Sequence, residues 1–253
     1  MIVNRVWAGH FGFGLVRTPS NFGALGERPT HPGLLDWLAV GLVENKWSLK
    51  WLHRTILLSA TYGRAADFNE KNFSVDGDNR LLWRMNRRRL EVEPWRDAML
   101  AVSGNLDLTF GGPSKNLDDA NNRRRTLYGF VSRHKLNELL RLFDFPDPNI
   151  TSDRRTSTTV PLQQLFVLNS GFMNKQAQAL VKRLEKDVPD GGSERIRRAY
   201  RLLFARQPSA SEVTIGEEFL KEVAASSEKN DKLSPWLQYG LALLGSNEFT
   251  YID

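Results

Sequence analysis

Between Gly12 and Ala39 the chain reads GFGLVRTPSNFGALGERPTHPGLLDWLA, and this stretch constrains the fold more than any other. Glycines stand at 12, 14, 23 and 26, phenylalanines at 11, 13 and 22, and prolines at 19, 29 and 32. Glycine at this density permits positive φ and close backbone approach, while proline pins the segments in between. A linker in solvent has no use for three phenylalanines. The stretch is therefore expected to be an ordered loop folded onto the body of the protein, running into an apolar helix.

The remainder has the balance of a globular chain: 253 residues, 41% hydrophobic and 25% charged, which is enough to bury a substantial core. No apolar run reaches the ~18 residues that a membrane span requires. The N-terminus lacks the charged region, apolar core and cleavage site of a signal peptide; for an exported protein, the signal would lie upstream of Met1 in a longer chain. Cysteine is absent, which excludes disulfides, thiolate metal sites and haem c attachment in these residues. The net charge of +6 and pI near 9.6 raise the question of nucleic acid. However, the arginines come in short runs (87–89, 123–125, 154–155, 197–198) against 29 acidic residues. Arginine in a helical protein pairs with carboxylates and carbonyls more often than with phosphate, so nucleic acid is not the expected partner.

Periodicity places helices along most of the chain. Residues 2–11 come first, then Gly33–Glu44 with Thr30 as N-cap and Pro32 in the first turn. The second helix is apolar around most of its circumference and is expected to be central. Ser48 caps a third through Tyr62, and Asp78 a short one carrying Leu81, Leu82 and Trp83. A helix from Glu91 aligns Val92, Trp95, Met99 and Val102, with Gly104 as its stop. Residues 105–125 are irregular and mark a subdomain break within what otherwise reads as a single domain over 1–253. Thr126–Val131 is the one good strand candidate. Leu136, Leu139, Leu140 and Phe143 spell a further helix, 144–160 a loop, and helices follow at 161–169, 171–186, 193–206, 209–226 and 235–245. A capping box, Ser209 with Glu212, opens the fourth of these closing segments. The expected fold is all-α: an irregular bundle of about ten helices, the glycine- and aromatic-rich loop, and at most one short strand or hairpin. An echo links ILLSATY (56–62) to LLGSNEFTY (243–251).

Motifs of known chemistry are missing. Gly12-x-Gly14 lacks the third glycine and the preceding strand of a dinucleotide fingerprint. GGPSKN at 111–116 has no phosphate-loop spacing, and there is no nucleophile elbow or His-Glu-x-x-His. Asp76-Gly-Asp78-Asn79 falls short of a calcium loop and suits turn and capping duties; no metal site is expected. Of four histidines, His10 reads as a packed structural residue and His53 as a helix-surface one. His134, beside Arg133 at a helix start, calls for a carboxylate partner, Asp144 being the candidate. His31 stands at the mouth of the loop. With Arg17, Asn21, Glu27, Arg28 and Asp36 it forms the one constellation worth testing, since arginine forks and helix N-termini bind anions. The same residues could instead hold the loop together. Arg133 and His134 complete the candidate binding residues; His31 and Glu27 are the catalytic candidates.

Residues 4–39 and 79–106, with FGGPS, RRRTLYGFVSR, FDFPDP, RRTSTTVPLQQLFVLNS and SNEFTYID, resemble throughout one family. It is the planctomycete C-terminal domain of unknown function that follows cytochrome-c-like domains in large secreted proteins. Departures are slight: Gln164-Leu165 where the family often has Gln-Ala, and Gly171 where proline is common. The resemblance implies an exported C-terminal module, periplasmic or at the cell surface, with any haem c in an upstream domain and no cofactor in this chain. It carries over no catalytic residue. The expected function is a non-catalytic binding or assembly module. Its partners would be the upstream domains of the same polypeptide, an anionic glycan or another cell-envelope protein. The alternative is an enzyme on a sulfated or acidic polysaccharide, with Arg17 as anion clamp and Glu27 or His31 as base.

Overall fold

A computed structural model describes residues 1–226 and 233–252. The fold is mostly helical, and the described residues divide into two compact units, residues 1–88 and 89–252.

The first unit holds α1 (Ile2–Phe11), α2 (Pro32–Glu44), α3 (Leu49–Leu57) and α4 (Glu70–Val75). Its core is built from i, i+4 pairs: Val3, Trp7 and Phe11 from α1, Leu38 and Leu42 from α2, Leu52 and Ile56 from α3. Leu15 from the glycine-rich loop joins them. Ser48 caps α3 by accepting the Trp51 N–H (3.2 Å), as its position predicts. Two expectations fail here. The N-cap of α2 is His31, without a side-chain bond to the helix, because the Thr30 hydroxyl instead donates to the Leu15 carbonyl (3.3 Å). Nor is α2 central: only Leu38, Gly41 and Leu42 are buried, and Trp37, Val40 and Val43 face out. Gly41 is required where it stands, for a Cβ there would lie 2.3 Å from the Trp51 indole.

The short helix of this unit starts earlier than expected, at Glu70, with the Asn69 side chain as cap. Residues 78–83 form turns instead. The residue that organises them is Asp76, not Asp78: its carboxylate accepts the Arg80 and Leu81 N–H groups (2.8 and 2.7 Å) and its carbonyl the Trp83 indole N–H (2.8 Å).

The second unit contains α5 (Val92–Val102), α6 (Glu138–Leu142), α7 (Pro161–Asn169), α8 (Gly171–Asp187), α9 (Gly192–Leu203), α10 (Ala210–Ser226), α11 (Pro235–Leu244) and α12 (Asn247–Thr250). Met173, Ala177, Leu180 and Leu184 form a fully buried stripe on α8, which packs against α5, α7, α9 and α11. The strands among the described residues are two residues each, β1 (Arg88–Arg89) and β2 (Tyr251–Ile252), paired as a single sheet.

Thr126–Val131 is not a strand; it begins with a 3-10 turn at Thr126–Tyr128. The reason lies in α5. The Asp97 carboxylate accepts both the N–H and the hydroxyl of Thr126 (2.6 Å each). The buried Arg96 guanidinium donates to the carbonyls of Asn122 (2.7 Å) and Arg124 (3.1 Å). Side chains thereby satisfy backbone groups that a neighbouring strand would otherwise pair, leaving isolated bridges, Asp107 to Arg124 and Lys115 to Gly129. The irregular stretch 105–125 lies inside this unit, held by those contacts.

Candidate functional site

The loop after α1 is fixed by a residue inside the helix stripe. Asn4 is 1% exposed, and its amide makes both backbone bonds of Val16: Nδ2 donates to the carbonyl (3.0 Å) and Oδ1 accepts the N–H (2.8 Å). Gly14 is needed for this approach, because a Cβ would fall 2.5–2.6 Å from the Asn4 amide and the Val16 carbonyl. Leu15 and Val16 are buried beside it, and the Thr30 N–H closes the loop on the Leu15 carbonyl (2.8 Å). The loop is anchored by these aliphatic residues more than by its phenylalanines. Phe11 is buried at the end of α1, whereas Phe13 lies exposed beneath the Arg17 guanidinium (4.7 Å).

Four polar side chains of the loop, Arg17, Thr18, Glu27 and His31, are taken up by local contacts. Thr18 Oγ1 donates to the Asn21 carbonyl and accepts the Glu27 N–H (both 2.9 Å). Arg17 donates to the Asp78 carbonyl (2.9 Å), and Glu27 meets Arg80 at 3.5 Å. Both tie the loop to the 76–82 turns. His31 Nδ1 pairs with the neighbouring Thr30 hydroxyl (3.0 Å). The cleft that results, between Arg17, Asn79, Arg80 and Asn86, has room for about 20 Å³, the space of a single water.

Of the residues proposed from sequence, Arg17, Glu27 and His31 stand on this anchored loop. Asn21 contributes only its backbone, and Arg28 and Asp36 project into solvent. Arg133 and His134 belong to the second unit and are exposed. The expected partner of His134 is otherwise engaged: the Asp144 carboxylate accepts the N–H and hydroxyl of Thr158 (2.8 and 2.7 Å). His10 and His53, read separately from the sequence, meet across α1 and α3 with Nε2 and Nδ1 2.8 Å apart. Burial, the facing His53 and the nearby Arg88 hold the His10 pKa below its ordinary value. Among the described residues, no group of three or more histidine, aspartate or glutamate side chains is placed to hold a metal ion. No helix among them is long and apolar enough to cross a membrane.

Sequence reasoning missed Asn4, Asn79 and Arg80. The signal for Asn4 was present: it falls in the stripe of Val3, Trp7 and Phe11, where a polar residue must have a buried partner. Asn79 and Arg80 carried no such signal, since turn residues at an irregular spacing do not announce what they face.

A family model matches residues 1–220, most of the chain. The protein belongs to the PSD1 family. That family is described as a protein of unknown function (DUF1553), in agreement with the resemblance seen in the sequence. No curated protein and no solved structure matches the chain. PSD1 membership thus brings no catalytic residue with it, and the loop has to be judged on its own geometry.

Proposed function

We propose that this chain is a non-catalytic binding or assembly module of an exported cell-envelope protein that also carries a cytochrome-c-like domain. The reading is supported chiefly by the engagement of Arg17, Glu27 and His31. An anion clamp and a general base must both face the space where substrate sits. Here Arg17 is turned to a carbonyl, Glu27 to Arg80 and His31 to Thr30. Export and the association with haem rest on the resemblance of the whole sequence to modules that follow cytochrome-c-like domains.

Two measurements test this reading. Incubation of the full chain with sulfated and carboxylated polysaccharides should release no reducing ends. Release that disappears in a folded His31→Ala variant would refute the module and establish the enzyme. In the native organism, an antibody to this chain should detect an envelope-fraction polypeptide that also stains for covalent haem; a haem-free cytoplasmic band would refute the location.

A further inference from the structure

The face formed by α2 and α3 is unlike the rest of the first unit. Seven tryptophans occur in the chain, and Trp37 and Trp47, at 57% and 65% exposure, stand out in solvent on this face. Trp37 lies against the half-buried Trp51, with ring centroids 6.3 Å apart. Trp47 is displayed by a turn in which two successive non-glycine residues, Lys46 and Trp47, adopt positive φ (53° and 59°). Such residues pay steric strain for their conformation and persist only where the surroundings enforce it.

The cations of the same turn and helix, Lys46, Lys50 and Arg54, are all exposed. The latter two stand on α3 beside Trp51, with Lys50 and Arg54 four apart and Trp51 and Arg54 three apart on the helix surface, and Trp47 precedes that helix in the turn. No ion pair engages any of the three cations among the described residues, whereas Arg80, Arg125, Arg155, Arg197, Arg198 and Arg206 are each paired with a carboxylate. The carboxylates of this face, Asp36 and Glu44, belong to α2, so the α3 side is purely cationic. Residues 1–88 hold 12 basic against 7 acidic residues; most of the chain's positive excess is in this unit.

We propose that the α2–α3 face binds an anionic polysaccharide. Flat, weakly polar ring faces suit the C–H faces of sugar rings, and a row of unpaired ammonium and guanidinium groups beside them suits repeating sulfate or carboxylate charges. A neutral glycan would leave the cations without a role, and a purely electrostatic ligand would leave the exposed tryptophans without one. The inference rests on the reading of the chain as a binding module and gives that module its ligand.

The test uses affinity electrophoresis of the full chain in gels containing dextran sulfate, unsulfated dextran or neither, at about 0.15 M salt. Dextran sulfate should retard the protein and dextran should not. Lys50→Glu with Arg54→Glu should weaken retention at least tenfold, and Trp47→Ala several-fold, with helical circular dichroism unchanged in both. Because these side chains are exposed, loss of fold is not the expected cause; Lys182→Glu, an exposed charge on α8 of the second unit, is the control and should retain most of the affinity. No retention, equal retention by both polymers, retention indifferent to Trp47→Ala, or tighter binding to oligothymidylate than to dextran sulfate would each overturn the proposal. Failure here leaves the non-catalytic reading standing, since that reading falls only to the release of reducing ends.

Discussion

Replacing Asn4 by alanine should unfasten the glycine-rich loop, and the size of the effect follows from the geometry. Asn4 supplies both hydrogen bonds of the Val16 backbone, at 2.8 and 3.0 Å, in a place where Asn4 and Val16 are almost wholly buried. A buried donor or acceptor left without a partner costs about 1–3 kcal/mol. Two such groups make a loss of about 2–6 kcal/mol, the lower part of the range applying where water reaches the gap. For a chain of this size each kcal/mol lowers Tm by about 2–4 °C. A loss of about 3 kcal/mol therefore appears as a fall of about 6–12 °C in the melting of the chain. Trypsin supplies the local readout, because Arg17, followed by Thr18, lies on the loop and cleavage there should accelerate well before global unfolding. Asn21→Ala, on the same loop but exposed, should stay within about 0.5 kcal/mol of wild type. A Tm for Asn4→Ala within about 2 °C of wild type, with unchanged cleavage at Arg17, would refute the assignment of Asn4 as the anchor.

Two predictions concern pH. Arg206 forks onto Glu212 (2.6 and 2.9 Å) and also reaches Glu248; the Arg206 hydrogen bonds are the main reason that the Glu212 pKa falls from 4.5 to about 2. A depressed carboxylate pKa stabilises the fold above the unfolded value, and that stability drains away as pH falls from 4.5 toward 2. Urea midpoints between pH 6 and pH 3 should therefore decline less steeply for Arg206→Ala than for wild type; parallel slopes would count against the pairing. For His10 the folded state resists protonation through burial, then His53, then Arg88, so the unfolded chain takes up the proton first. Stability should fall as pH drops below about 6.5, and His10→Gln should lose less Tm than wild type between pH 7.5 and 5.5.

Where the local signal and the packing agreed, the helices were legible. On α8 the spacing of Met173, Ala177, Leu180 and Leu184 is that of the buried stripe. The Ser209–Glu212 capping box forms in both directions, with the Ser209 N–H donating to Glu212 (2.7 Å) and the Glu212 N–H to Ser209 (3.2 Å). Even the echo between ILLSATY and LLGSNEFTY has a physical basis: Ser59 and Ser246 each accept the N–H of the residue three positions on (3.2 and 3.3 Å). The failures arose where tertiary neighbours decide. TLYGFV has the composition of a strand, yet Asp97 takes the Thr126 N–H at its start and Arg96 holds the carbonyls of Asn122 and Arg124 just before it. Apolarity around α2 suggests burial in the core, but its Trp37, Val40 and Val43 are exposed. In the candidate site, the loop and its order were legible from glycine and proline. The occupation of Arg17 and Glu27 was not, because Asp78 and Arg80 come from a segment 61 and 53 residues further on in sequence with no periodicity of its own.

The basic composition also resolves into two populations with different physics. In the second unit arginine substitutes for regular secondary structure. Arg183 donates to the carbonyls of Ala101 and Val102 at the end of α5 (3.0 and 2.9 Å), and Arg195 to those of Val188 and Pro189 beyond α8 (2.9 and 2.8 Å). Those carbonyls lie at or just beyond the partly negative C-terminal ends of helices, and one guanidinium serves two of them at once. Arg124 does the same for Thr109 in the irregular segment (2.8 Å), and Arg96 for Asn122 and Arg124. A guanidinium so engaged has little left to offer a ligand, however basic the sequence. Lysine has no such fork, and Lys46 and Lys50 of the first unit cap nothing. Near helix C-termini, Lys46 beyond α2 and Arg54 in the last turn of α3 gain only the modest stabilisation of a cation in the helix dipole, which leaves their charges exposed to solvent.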